Sequence, residues 1–339
     1  MIGILTAGGD CPGLNAVIRG VVYRAHQAGR PCIGIRDGWK GLMENITVAL
    51  DRDSVDDIMG LGGTILGTSR KDPYVHGDGI ASIMPTIEAH GIEQVVVIGG
   101  EGTLASALKL FNEGLPVIGV PKTIDNDIAA TDVTFGFHTA VQIATDAIDR
   151  LTTTAESHNR VILVEVMGRH AGWIAAYAGM ASGADAVLVP EVPYDLDELV
   201  DLLARRHERG KNYSIVVVAE GAALPSDLDA PTLQRDAYGF ERLGGISNVL
   251  APAIEARSGF ETRVTVLGHV QRGGTPTAYD RILATRFGVA AADLAITNQT
   301  GLMVALRGDA IVPVSLEEAC SRVRLLDTEI YRVVETFFG

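Results

Sequence analysis

The segment Pro121-Lys122-Thr123-Ile124-Asp125-Asn126-Asp127 holds the densest reactive chemistry in the chain. Two carboxylates two residues apart, read as an extended loop, share one face, and each then raises the other's affinity for a proton. That arrangement suits a general base beside a second acid. Lys122 stands near enough to meet a phosphate, and Thr123 adds a hydroxyl. The same residues also fit an Asx-rich turn whose acids bind their own backbone. The lysine, the threonine and the apolar run Val117–Val120 just before them favour a site at a strand's end.

Glycine-rich turns supply the second ingredient. Gly8-Gly9-Asp10-Cys11-Pro12-Gly13-Leu14-Asn15 follows an apolar run and precedes a helical pattern. Glycines there let backbone approach a ligand, and the next helix offers free N–H groups to an anion. Pro12 suits the first helical turn, where a missing N–H costs nothing. Gly99-Gly100-Glu101-Gly102-Thr103 repeats the plan, strand then Gly-Gly then acid then helix. Its carboxylate makes sense beside a phosphate if magnesium is present, since that ion is held by one or two carboxylates plus phosphate oxygens. Each turn alone is equally a tight β–α connection; two in one chain favour a nucleotide. Gly62-Gly63-Thr64-Ile65-Leu66-Gly67-Thr68-Ser69 has the spacing of a phosphate-binding loop but lacks its lysine and follows no clear strand, so it is not a Walker motif. Arg70 and Lys71 behind it could meet phosphates, or simply end a flexible surface loop.

Arg160, Arg169, Arg263 and Arg272 lie near the ends of expected strands. A guanidinium fork fits phosphate, and four such placements create local positive field in a chain whose 42 acidic and 28 basic residues leave a net charge of −14. That overall charge argues against nucleic-acid and anionic-membrane partners. His170 and His269 lack metal-like spacing and read as hydrogen-bonding residues; Trp39 and Trp173 read as core or interface. The three cysteines, Cys11, Cys32 and Cys320, fit neither a disulfide framework nor a metal site and suggest a reducing, cytoplasmic compartment. No basic stretch precedes the first apolar run, and none reaches the ~18 residues needed to span a membrane.

The elements that must position these residues alternate along the whole length. Expected strands are Ile2–Thr6, Cys32–Arg36, Gln94–Ile98, Val117–Val120, Val161–Val166, Ala186–Val189, Ser214–Ala219, Thr262–Leu267 and Leu302–Leu306. Helical patterns cover Gly13–Ala28, Thr103–Asn112, His138–Thr153, Leu196–Gly210 and Tyr279–Thr297. Strands that are apolar on consecutive residues must be covered on both faces, which predicts α/β architecture with mainly parallel sheets. At 339 residues two domains are expected. Residues 222–238, polar and proline-containing, read as a surface excursion.

Taken together, the chain from Ile2 to about Arg286 resembles the phosphofructokinase family. The matching pieces are the two glycine turns, the Thr123–Asp127 loop, Met167-Gly168-Arg169-His170-Ala171-Gly172 and Gly268-His269-Val270-Gln271-Arg272-Gly273-Gly274. The resemblance implies two Rossmann-like three-layer domains with the active site in the cleft between them. Residues 1–137 with about 271–321 would bind nucleotide, and about 138–270 with 322–339 the sugar phosphate. It implies that Asp125 takes the proton from the 1-hydroxyl of fructose 6-phosphate, with Asp127 and Thr123 beside it, while Mg²⁺ and Arg169 stabilise charge on the moving phosphoryl group. Sugar contacts would come from Thr123, Ile124, Met167, Gly168, Arg169, Glu220, His269, Val270, Gln271 and Arg272. Arg160 and Arg263 would reach the 6-phosphate from a neighbouring subunit, which implies an oligomer, usually a tetramer. Gly9, Arg70, Lys71, Gly100, Glu101, Gly102, Thr103 and Lys122 would surround the donor, with Glu101 at the metal. The donor signature is mixed. Gly102 resembles ATP-using members, where an aspartate would crowd an α-phosphate; Lys122 resembles pyrophosphate-using ones. Gly102 weighs more, because lysine serves either donor, and the expectation is ATP.

Overall fold

The computed structural model describes residues 1–228 and 243–339. Twelve strands are formed among them: β1 (Ile2–Thr6), β2 (Cys32–Ile35), β3 (Thr47–Leu50), β4 (Gln94–Gly99), β5 (Val117–Thr123), β6 (Phe135–Gly136), β7 (Val161–Val166), β8 (Ala186–Leu188), β9 (Ser214–Ala219), β10 (Thr262–Val266), β11 (Leu302–Arg307) and β12 (Ala310–Ser315). The chain divides into two compact units, residues 1–139 with 272–324 and residues 140–271 with 325–339.

The first unit carries an eight-stranded sheet in the order β12-β11-β5-β4-β1-β2-β3, with β6 beside β5. Pairing is parallel except at the two ends, where β2/β3 and β11/β12 run antiparallel. Every residue of β1, β4 and β5 is buried, as their unbroken apolar runs require. One core cluster gathers Leu5, Ile35, Trp39, Val97, Leu104 and Leu110. Helix Leu14–Gln27 packs on helix Ala278–Ile296 with very close backbones. A Cβ on Gly20 would lie 2.8 Å from the Thr285 carbonyl oxygen, and one on Gly288 would lie 2.4 Å from that of Val17. Only glycine fits at that crossing.

The second unit has a four-stranded, wholly parallel sheet in the order β10-β7-β9-β8. Its core joins Leu163, Val216 and Val218 to Leu203, Leu250 and Ile254 of the covering helices. The architecture is therefore α/β, with a mainly parallel mixed sheet and a second parallel sheet.

All nine expected strands form, three with the expected bounds and six with one end shifted by one to three residues. The largest shift matters: β5 runs on to Thr123, so Lys122 and Thr123 belong to a buried strand rather than to the loop after it. Three strands escaped the sequence pattern. β3 and β12 are exposed antiparallel edges of mixed character, and β12 contains Pro313, tolerated on an edge. β6 is two residues long. Helix Trp173–Ser182 was also unforeseen, because WIAAYAGMAS is apolar all round and shows no helical stripe. Trp39 and Trp173 both sit in the core at 2% exposure. Residues 222–228 form an irregular turn; the rest of the expected surface excursion lies outside the described residues.

Candidate active site

β1 and β4 are parallel neighbours, paired from Ile2↔Gln94 to Thr6↔Ile98, so both Gly-Gly-acid turns emerge from the same end of adjacent strands. That is the end where open α/β sheets bind ligands. In the first turn Gly8 and Gly13 have φ of 82° and 109°, conformations that other residues avoid. The helix begins at Leu14, so Pro12 lies ahead of the first helical turn and left-handed Gly13 takes the N-cap instead. Protein side chains crowd this turn. A Cβ on Gly9 would meet Arg272 Nη1 at 3.2 Å, and one on Gly8 would meet Thr103 Oγ1 at 3.3 Å and Lys122 Nζ at 3.5 Å.

The second turn differs. Gly100 is extended, and the helix starts at Glu101, two residues before the expected start. Glu101 and Gly102 are exposed while Thr103 is buried. A Cβ on Gly102 would find nothing within 4 Å.

The glycine-rich stretch 62–69 is tied to the first turn rather than loose. Thr68 Oγ1 donates to the Gly8 carbonyl at 2.6 Å, Gly8 N donates to the Ser69 carbonyl at 3.2 Å, and Thr6 Oγ1 donates to the Gly67 carbonyl at 2.7 Å. Asn15 clamps its other end, donating to the Leu61 carbonyl and accepting from Ile65 N at 2.9 Å. The stretch carries an exposed Arg70 and a Lys71 that pairs with Glu44 at 2.9 Å.

Lys122 is buried on β5, and its ammonium donates to the Gly9 carbonyl. Burial lowers its proton affinity below that of an ordinary lysine; Arg272 pushes the same way, while Asp125 and Asp10 oppose. Beyond β5 the chain does not stay extended. Asn126 adopts φ 55°, which breaks the alternation on which the expected shared face of Asp125 and Asp127 rested. The loop is instead fixed by its own hydrogen bonds. Thr123 Oγ1 accepts from Asp125 N at 3.0 Å, Asn126 Oδ1 accepts from Thr134 N at 3.0 Å, and Thr134 Oγ1 donates to the Thr123 carbonyl at 2.7 Å. Arg324 braces it from outside, its backbone N–H on the Asp127 carbonyl (2.8 Å) and its guanidinium on that of Asn126 (3.2 Å). Ile124, Asp125 and Asp127 are all buried.

In the second unit, Met167-Gly168-Arg169 follows β7 in an unusual conformation: Gly168 has φ 145° and Arg169 φ 52°. Holding a non-glycine residue there costs about 1–3 kcal/mol and requires support. Glu220, just past β9, provides it, one carboxylate oxygen accepting from Gly168 N at 3.3 Å and Arg169 N at 3.0 Å. Gly221 completes the fit, since a Cβ there would lie 1.9 Å from the Arg169 carbonyl oxygen. Arg160 and Arg263, at the starts of neighbouring strands β7 and β10, both pair with Glu261, the former at 2.8 Å. In the turn Gly268–Arg272, His269 and Val270 are exposed, whereas Gln271 is buried and donates to the Gly268 carbonyl at 3.0 Å. Arg272 belongs to the first unit, beside Gly9.

Sequence reasoning passed over Asn15, Asp280 and Glu165. Asp280 is fully buried and accepts from Gly136 N, Thr139 N and Thr139 Oγ1 at 2.6–3.0 Å, which holds the chain leaving β6. Burial raises its proton affinity and those bonds oppose the rise. Glu165 lies 1% exposed on β7 and receives Gly245 N (2.6 Å) and Ser247 N (2.9 Å) at the start of helix Ile246–Ser258. A lone acid inside the apolar run VILVEV was a readable signal, because a buried carboxylate must find donors.

A family model described as phosphofructokinase matches residues 1–295. The chain belongs to the phosphofructokinase family. It is 54% identical over 336 residues to an ATP-dependent 6-phosphofructokinase 3 of Streptomyces coelicolor, covering 98% of each chain. It is 52% identical over 341 residues to a pyrophosphate–fructose 6-phosphate 1-phosphotransferase of Amycolatopsis methanolica, covering 100% of this chain and 99% of that one. A crystal structure of Pichia pastoris phosphofructokinase in the T-state superposes with a TM-score of 0.83 at 31% identity. That superposition covers 99% of this chain, which spans 36% of the longer yeast one.

Phosphofructokinase chemistry implies magnesium, and the donor set fits it. Among the described residues no group of three or more histidine, cysteine or acidic side chains gathers as a metal cage. One exposed carboxylate, Glu101, opens a helix beside unfilled space at Gly102. That suits an ion taking most ligands from phosphate oxygens and water. No helix among the described residues is long and apolar enough to cross a membrane.

Proposed function

We propose that this phosphofructokinase transfers the γ-phosphoryl group of ATP to the 1-hydroxyl of fructose 6-phosphate. The observation that carries the donor assignment is the open space at Gly102, which leaves room for a nucleotide where a carboxylate would meet an α-phosphate with like charge. Overall similarity does not separate the donors, since relatives named for each are 54% and 52% identical. Lys122, buried against the Gly9 carbonyl, supports phosphate binding with either donor.

Phosphoryl transfer rests on positioning and charge neutralisation. Asp125 accepts the proton of the 1-hydroxyl as O1 bonds to the γ-phosphorus and ADP departs; Thr123 fixes the Asp125 backbone. Asp127 flanks the base. Arg169, held in position by Glu220, offers its guanidinium to the transferring group. Glu101 would hold Mg²⁺, which supplies charge neutralisation on the phosphates when bound. Met167, Gly168, His269, Val270, Gln271 and Arg272 form the sugar-phosphate contacts. Arg160 and Arg263 reach the 6-phosphate of a neighbouring subunit's substrate in a cytoplasmic homotetramer, a reading supported by their convergence on one partly exposed carboxylate.

The test is the initial rate with fructose 6-phosphate and Mg²⁺, ATP supplied in one assay and pyrophosphate in the other. Turnover with ATP alone is expected; turnover with pyrophosphate alone would overturn the donor. In the same assay Asp125→Asn should lower kcat by ~10²–10⁴ while fructose 6-phosphate binding persists, the usual contribution of a general base. Undiminished turnover would remove Asp125 from that role.

A further inference from the structure

Asp280 lies in the first unit at 0% exposure, closed to substrate, and has no part in the reaction above. A carboxylate kept from water needs donors, and three converge on it. Its Oδ1 accepts from Gly136 N at 3.0 Å; Oδ2 accepts from Thr139 N at 2.7 Å and from Thr139 Oγ1 at 2.6 Å. A second tie runs alongside, since Thr277 N donates to Thr139 Oγ1 at 3.0 Å. The start of helix Ala278–Ile296 is thereby bonded to the chain that leaves β6.

The place of β6 gives that attachment its reach. Its two residues pair with β5 in parallel, Phe135 with Lys122 and Gly136 with Thr123. A strand that short has little ladder of its own, and the Gly136 N–H is satisfied by Asp280 instead. Thr134, immediately before β6 and also at 0% exposure, grips the base loop on both sides of Asp125. Its hydroxyl donates to the Thr123 carbonyl at 2.7 Å and its N–H to Asn126 Oδ1 at 3.0 Å. Gly136 lies two positions along the chain from this grip, so a shift of β6 moves Thr134 with it.

We infer that Asp280 is a positioning residue for phosphoryl transfer: it fixes β6 against β5, keeps Thr134 on Thr123 and Asn126, and so sets where Asp125 stands. This rests on Asp125 being the base proposed above. Asp280 acts through Gly136 and Thr134 without touching substrate, and misplacing a reacting group by about 1 Å costs on the order of 10²-fold in rate. Asparagine is no equivalent, because it brings one acceptor oxygen and an NH₂ group to a place where three donors converge.

The test uses the whole enzyme carrying Asp280→Asn, Thr134→Val or both, assayed well below the melting temperature of each. Asp280→Asn should lower kcat by ~10–10²-fold while the KM values for ATP and fructose 6-phosphate are retained, the mark of an interaction that matters only in the transition state. The double variant should lose no more than the larger single loss, because both changes act on one path. Losses that multiply, or a wild-type kcat in Asp280→Asn, would overturn the inference. Hydrogen exchange reads the loop without reference to turnover. The amides of Asp125 and Thr134 should exchange ~10-fold faster in Asp280→Asn, with those of β1 and β4 as slow as before. Wild-type exchange at the loop would sink the positioning role and leave the base standing, which Asp125→Asn judges separately; faster exchange throughout β1 and β4 would reduce Asp280 to general stability. If Asp280→Asn does not fold, Thr139→Val, which removes only the hydroxyl bond, replaces it in the same cycle. Wild-type kcat and loop exchange in that variant would equally overturn the inference.

Discussion

The two Gly-Gly-acid turns share one sequence plan and adjacent strands, yet one is filled by the protein and the other is open. At Gly8–Gly13 the chain folds its own cations inward: Lys122 bonds the Gly9 carbonyl and Arg272 lies against Gly9. At Gly99–Thr103 the helix begins at once with an exposed acid, and Gly102 borders empty space. Glycine thus answers two different needs. At Gly13 it permits a left-handed backbone against Phe135, whose ring carbon would lie 2.8 Å from a Cβ. At Gly102 no packing demands it, since a Cβ would meet nothing within 4 Å, and the role proposed for it is to leave room for a nucleotide.

Substituting each glycine separates these roles. Gly102→Asp should lower kcat/KM for ATP by ~10²-fold or more, since like charges brought together cost several kcal/mol. Stability should stay within about 0.5 kcal/mol, as for other surface changes. Normal ATP kinetics in that variant would show that the open volume does not serve the nucleotide. Gly13→Ala should do the reverse, lowering unfolding free energy by about 1–3 kcal/mol through a forced positive φ, visible as a shifted denaturant midpoint. A midpoint unchanged from wild type would show that the turn relaxes freely. The smallest effect concerns Lys122. Its proton affinity is lowered in the folded chain, mainly by burial, so the unfolded chain binds the proton more tightly. Stability should therefore rise with pH between the lowered value and about 10.4, the ordinary lysine value. Lys122→Met should lack that slope, and equal slopes in denaturant titrations from pH 7 to 10 would contradict it.

Much of this was legible without coordinates, and what failed did so for identifiable reasons. Buried parallel strands such as β4 and β9 announce themselves as unbroken apolar runs, and each was placed to within a residue. Edge strand β3, with two of four residues exposed, carries no such signature. The loop after β5 was located but misjudged in shape, because a left-handed Asn126 is a tertiary outcome fixed by Thr134, eight residues on. Glu220, expected at the sugar, also accepts from Gly168 N and Arg169 N, a backbone-supporting role that no local spacing reveals. Arg324 bracing Asn126 across 198 positions lies equally beyond local pattern.

Each unit is assembled from two separated stretches of chain, and this has a consequence for synthesis on the ribosome. When residue 271 has just been made, the sheet of the first unit still lacks β11 and β12, and helix Leu14–Gln27 lacks the partner it meets at Gly20 and Gly288. The apolar face of that early helix must wait while the whole second stretch is translated. A nascent chain paused in that interval presents an incomplete layer beside β5, so the window most exposed to chaperone capture and aggregation opens at residue 140 and closes only once the chain has passed Ser315, the end of β12.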